Sequence, residues 1–191
     1  MSTIQILNKE TLSNRKHPLR YITFEKPDAE GVFHTQAKEV YFRPDAVVVL
    51  LVDEVHEKIT LTKQFRLPTF LNGNDSGYLV EACAGLVDEG ETPEQTAIRE
   101  VAEETGYEIG ELEKIGAAYA SPGGSTEYMH LFIAKYTPET KTSKGGGLAH
   151  EGESIELIEL GFDKAREKLK QGAFRDIKTI LLLQHFFMNN P

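Results

Sequence analysis

Cysteine is almost absent from this 191-residue chain: Cys83 is the single thiol, so no intramolecular disulfide framework can form. That suits a reducing compartment, and a cytoplasmic location is the expectation. Residues 1–12 have neither a basic start nor an apolar run, so no secretory signal is expected. Before the last helix the longest apolar stretch is residues 46–52, far short of the about 20 residues that span a bilayer. The apolar segment 180–188 is also too short, so it is expected to pack in the core or a dimer, and no membrane partner is expected. Positive charge is scarce too: 21 Lys and Arg stand against 30 Asp and Glu, a net charge of −9. This excludes nucleic-acid binding through a general basic surface, but it is compatible with recruiting cations. No internal repeat is present.

A hydrophobic content of 40% is enough for a real core, and the length suits one main domain with a small appendage. Residues 20–26 and 32–42 flank the turn Asp28-Ala-Glu-Gly31 and read as a hairpin. After Pro44-Asp45, residues 46–52 read as a buried strand with 58–65 as its partner. Residues 66–76, with Pro68 and Gly73, read as a loop. Strands are expected at 78–83, 112–120, 127–136 and 154–160. Residues 137–152, with Gly145-Gly146-Gly147, read as a long mobile loop of the kind that often carries function. One closing helix begins after Asp163 and ends by Gly172; the other runs from 176 to 188. The expected division is an N-terminal β region over 1–44 and a main domain over 45–191.

The informative segment is 85–107, GLVDEGETPEQTAIREVAEETGY. Thr92 is a good N-cap, Pro93 suits the first helical position, and Gln95 completes a capping box. Gly106 supplies the stop, so the spacing predicts a helix over 93–105. At 100° steps Glu100, Glu103 and Glu104 share a face, with Ile98, Val101, Ala102 and Thr105 expected opposite. Like charges at i,i+3 and i,i+4 repel, so a plain surface helix gains nothing from them. A hard divalent cation does gain, because it needs converging carboxylate oxygens. Arg99 lies at i,i+4 from Glu103 and is placed to orient it. Three glutamates alone would more often be a solvated acidic face.

The whole pattern is far more specific. Gly85, Glu91, Arg99, Glu100, Glu103, Glu104 and Gly106 fill all seven fixed positions of G-x5-E-x7-R-E-U-x-E-E-x-G-U, a chance match on the order of one in 10⁸ per start position. On this motif the chain is identified as a member of the Nudix hydrolase family, with Val101 and Tyr107 at its apolar positions. The resemblance implies an α/β class fold, an α/β/α sandwich with a mixed sheet, plus a small N-terminal antiparallel β appendage used for dimerisation. It implies water attack on a phosphorus of a nucleoside diphosphate linked to another group, assisted by two or three Mg2+ ions, with Mn2+ as an alternative. Glu100, Glu104 and the main-chain carbonyl of Ala84 would hold metal, and Glu103 would serve the same ions.

Outside the motif, Pro122 and Lys63-Gln-Phe-Arg66 resemble the ADP-ribose and nucleotide-sugar branch of the family, while residues 66–86, Ser121-Pro-Gly-Gly-Ser-Thr-Glu127, the triple glycine with Glu151, and residues 175–183 resemble its members that hydrolyse GDP-mannose. This resemblance covers about residues 36–184. It implies GMP and mannose 1-phosphate as products, with the ADP-ribose branch as the alternative and a non-cutting nucleotide-sugar sensor as the reading outside enzymes. Glu151 would be the metal-reaching general base, with Glu127 touching substrate or standing in as base. Arg66 and Lys178 would contact phosphate or sugar, and the backbone of Ala84, Gly85 and Leu86 would line the site. A homodimer is implied, with Lys38 and Glu39 reaching the partner's site. Ala37 stands where the branch has a basic residue, and Lys16-His17 where it has an aromatic. Cys83 is expected to be a buried small hydrophobe and His130 a structural strand residue.

Overall fold

The computed structural model describes residues 3–148, 152 and 154–190. The chain divides into two compact units. The first comprises residues 1–45 and 118–129. It contains a three-stranded antiparallel sheet of β1 (Gln5–Ser13), β2 (Leu19–Pro27) and β3 (Phe33–Tyr41). The β2–β3 turn is made as the sequence predicts: Asp28 accepts from the Glu30 and Val32 amides, and Gly31 takes φ 87°. Segment 121–126 joins this unit through Tyr41, whose amide donates to Gly124 and whose carbonyl accepts from Thr126.

The second unit comprises residues 46–117 and 130–191. Its frame is a seven-stranded sheet in the order β10-β5-β4-β9-β8, with β6 beside β5 and β7 beside β4. The strands are β4 (Ala46–Asp53), β5 (Lys58–Phe65), β6 (Tyr78–Glu81), β7 (Cys83–Leu86), β8 (Leu112–Tyr119), β9 (Tyr128–Lys135) and β10 (Glu156–Gly161). The helices are α1 (Leu67–Leu71), α2 (Pro93–Thr105), α3 (Phe162–Lys170) and α4 (Ile177–Asn189). Every residue of β4 is buried, which is why it reads as an unbroken apolar run rather than an alternation. Val47, Val49 and Leu51 pack with Ala97 and Val101 of α2 and with Phe132, Ala134 and Tyr136. The alternate residues Val48, Leu50 and Val52 point to the other face, and α4 also packs on β4. Helices thus cover the sheet in the α/β arrangement expected.

Three expectations are corrected. The loop over 66–76 contains the short helix α1, with Pro68 in its first turn. The strand expected at 78–83 is two strands: β6 pairs with β5, and the chain crosses at Ala82 so that β7 pairs with β4. The free amide at the crossing donates to Thr179 Oγ1 at 2.7 Å. On α2 the buried residues are Thr96, Ala97, Val101, Glu104 and Thr105, while Ile98 is exposed. Glu104 therefore lies on the packed face beside Ala97 and Val101, because α2 docks on β7 with that side.

Candidate active site

Helix α2 begins where local chemistry dictates. Thr92 Oγ1 accepts from the Gln95 amide and Gln95 Oε1 accepts from the Thr92 amide, the predicted capping box. Gly106 ends the helix at φ 76°.

Arg99 is the charge centre of this helix. Its Nε and Nη2 donate to Glu91, and its Nη1 donates to Glu100 Oε1 at 2.9 Å and to Glu103 Oε2 at 3.0 Å. Asp88 lies 3.4 Å from Nη2. One guanidinium thus faces four carboxylates. Hydrogen bonds to Glu91, against the opposing effect of burial, hold the Arg99 pKa above its ordinary value, with Glu100 and Glu103 adding to the rise. Reciprocally, the Arg99 and Thr96 hydrogen bonds hold the Glu91 carboxyl below the usual range. Glu91, a fixed motif position with no role assigned from sequence, is the strut that aims Arg99.

The strand β7 supplies the opposing wall. A Cβ on Gly85 would lie 1.9 Å from the Glu100 carboxylate carbon and 2.0 Å from its Oε1. Gly85 is therefore glycine because the Glu100 carboxylate rests on its backbone, not because of a turn. Glu104, 1% exposed, receives the Ala84 amide on Oε2 at 3.3 Å. Ala84, Gly85, Glu100 and Glu104 are thus brought together. The donors here are carboxylate and main-chain oxygens, the hard set that a divalent cation such as magnesium takes. By chemistry the residues fit such an ion. Among the described residues no three acidic, histidine or cysteine side chains form a closed ligand cage; Glu100 and Glu103 both accept from Arg99. Glu151, expected as a further ligand and as base, lies outside the described residues.

The far end of α2 is closed by the triple glycine. The Gly146 and Gly147 amides donate to the carbonyls of Glu104 and Glu103, and the Thr142 amide donates to Gly106 O. A Cβ on Gly145, at φ 63°, would lie 2.6 Å from Glu104 O, and one on Gly106 would lie 2.2 Å from Ser143 O. The segment expected to be mobile is, over 142–147, docked on the last turn of the helix, where it satisfies carbonyls that a helix end leaves open.

A second charged cluster stands at the β6–β7 crossing. Arg66 Nε donates to Glu81 Oε2 at 2.7 Å, and Lys178 Nζ lies 3.5 Å from Glu81 Oε1. Lys178 also meets Asp176 Oδ1. Asp176 Oδ2 caps α4, accepting from the Thr179 amide and hydroxyl. Burial pushes the Asp176 carboxyl up, but Lys178 and Thr179 outweigh it and hold the group below its ordinary value. The predicted contacts Arg66 and Lys178 are therefore joined by Glu81, which sequence reasoning did not single out. Its signal was an acid inside a strand otherwise apolar and small, residues 78–83, where an unpaired charge could not stay.

The other predicted residues belong to the first unit. Glu127 forms an ion pair with Arg43 Nη2 at 3.1 Å. Lys38 and Glu39 lie exposed on β3, paired with Ile22 and Tyr21. Cys83 is buried as expected, and no helix among the described residues is long and apolar enough to cross a membrane.

Comparison with known proteins agrees with this geometry. The chain is 43% identical over 182 residues to a GDP-mannose pyrophosphatase of Cronobacter sakazakii, covering 95% of this chain and 94% of that one. It is 44% identical over 184 residues to the Pectobacterium atrosepticum protein of the same name, covering 96% and 94%. A crystal structure of an ADP compounds hydrolase superposes with a TM-score of 0.73 at 18% identity, over 98% of this chain and 96% of that one; at that identity it speaks for the fold. The model of the NUDIX domain matches residues 42–183, and with its motif residues gathered between α2 and β7 this chain belongs to the Nudix family.

Proposed function

We propose that the protein is a metal-dependent hydrolase of nucleotide sugars that cleaves the diphosphate of GDP-mannose to GMP and mannose 1-phosphate. What carries this is the acid set Glu100, Glu103 and Glu104 around Arg99 and Gly85, in a chain aligned almost end to end with GDP-mannose pyrophosphatases. Nudix hydrolases work with divalent metal ions, and magnesium, as two or three ions, is the assignment here, with manganese as the alternative. Glu100, Glu104, Glu151 and the Ala84 carbonyl would hold the metal, which when bound polarises phosphoryl oxygens and lowers the pKa of bound water.

The chain's own residues do the rest. Arg99 holds Glu100 and Glu103 side by side on α2 and offsets part of their mutual repulsion. Glu151 takes the proton of the attacking water, with Glu127 in reserve. Arg66 and Lys178 meet the anionic part of the substrate, and the Ala84–Leu86 backbone lines its path. The enzyme works as a homodimer in the cytoplasm, with Lys38 and Glu39 of β3 serving the partner's site.

The intact carboxylate set speaks against a sensor that binds without cutting. The rival substrate is ADP-ribose. Product release from GDP-mannose and from ADP-ribose, each with magnesium and with chelator, decides between them. Faster magnesium-dependent GMP release is expected. Faster AMP release would move the enzyme to the ADP-ribose branch, and no turnover of either would overturn the proposal.

A further inference from the structure

We propose that Glu81 is a positioning residue that holds Arg66 and Lys178 together as a two-cation clamp for a phosphate of the substrate. This rests on the hydrolase assignment above. Glu81 is the last residue of β6, and its side chain is 4% exposed. A carboxylate is kept in such a place only with partners. Its partners are two cations, one on each oxygen: Arg66 Nε on Oε2 and Lys178 Nζ on Oε1.

The nearby acid is different. Asp176 caps α4 with one oxygen, so its burial is explained by the fold. Glu81 caps no helix, and among the described residues its side chain bonds to these two cations. The exposures are also ordered. The carboxylate is sealed, while the Arg66 and Lys178 side chains are 38% and 21% exposed. An anion arriving from solvent therefore meets the cations and not the acid behind them. Arg66 spends only Nε on Glu81, and among the described residues its Nη1 and Nη2 carry no hydrogen bond. That leaves the planar fork that suits two phosphate oxygens.

The clamp is also fixed in place relative to the acid site. Lys178 sits in the first turn of α4, and the Ala82 amide ties that turn to the strand crossing through Thr179 Oγ1. Three residues beyond Glu81, Ala84 meets Glu104. The three steps from Glu81 to Ala84 cross from β6 to β7, and at about 3.3 Å per residue they separate the two backbone positions by roughly 10 Å at most. A site for cations and a site for anions thus stand at the two ends of one short segment.

The test is Glu81→Gln, which keeps the shape and removes the charge, beside Arg66→Gln and the double variant. For GDP-mannose, Glu81→Gln should raise KM about tenfold with kcat within about threefold, the split expected when ground-state binding is lost. Arg66→Gln should do the same, and the double variant should be no worse than the weaker single, because the two act as one unit. Calorimetry should show inorganic pyrophosphate binding weakened by a similar factor in Glu81→Gln. Wild-type KM and wild-type pyrophosphate affinity in Glu81→Gln would overturn the proposal, whatever happens to Tm. So would penalties that multiply in the double variant. If the wild type cleaves no nucleotide sugar, the hydrolase assignment fails, and the pyrophosphate arm alone then decides the clamp. If Glu81→Gln does not fold, Arg66→Lys, which keeps the charge without the fork, should raise KM; an unchanged KM would overturn the clamp.

Discussion

Two clusters of charge, linked by the strand segment 81–84, are built on opposite plans. At α2 one guanidinium, Arg99, faces four carboxylates. At the β6–β7 crossing two buried carboxylates, Glu81 and Asp176, stand behind two cations, Arg66 and Lys178, whose outer edges reach solvent. The first gathers carboxylate oxygens, the donor type that a hard divalent cation takes. The second turns its positive side outward and invites an anion. A metal-assisted cleavage of a diphosphate needs both, and each cluster is expected to control a different kinetic constant.

The largest effect should come from the acid cluster. Glu104→Gln keeps the side-chain volume of a buried residue but weakens the hold on the metal, so kcat should fall by about 100-fold or more with the fold intact. Steady-state kinetics with a thermal melt check this, and full activity would remove Glu104 from the metal site. Gly85→Ala should come next. Its Cβ would overlap the Glu100 carboxylate, so that carboxylate must shift; kcat should fall about tenfold and stability by about 1–3 kcal/mol. Against Glu81→Gln, which acts on KM, these two variants set the clusters apart; a kcat loss in all three would merge them.

The smallest effect is on stability in acid. The folded Asp176 carboxyl sits below its ordinary value, which for aspartate is about 3.9. A depressed pKa contributes stability that is present above the unfolded value and lost as pH falls through the folded one. The wild type should therefore lose stability below about pH 4, and Asp176→Asn, less stable at neutral pH, should show a shallower loss there. Parallel urea curves at pH 7 and pH 3 measure it. Equal acid slopes in the two proteins would show that Asp176 is not held by Lys178 and Thr179.

The two ends of α2 show what was legible in the sequence. The N-terminal cap is made by residues three apart, Thr92 and Gln95, so spacing alone predicts it. The C-terminal closure is made by Gly145–Gly147, some forty residues away. A triple glycine in sequence says only that the backbone is free to turn, not what it docks against. The buried strand β4 was legible because its apolar run is continuous. The crossing at Ala82 was not, because one extended segment can pair with two neighbours without any change in pattern. Glu104 was legible as an acid on a motif helix, but its place on the packed face depends on β7, which the 100° wheel does not contain. Arg66 and Lys178 were legible through resemblance; Glu81, which joins them, is visible only once β6 and α4 are brought together.

A divalent-metal site between α2 and β7 underlies these kinetic expectations. Calorimetric titration of Mn2+ into the wild type and into Glu100→Gln/Glu104→Gln, both confirmed folded, tests it most directly. The wild type should bind saturably, and the double variant at least about tenfold more weakly. Equal binding by the two proteins would contradict it.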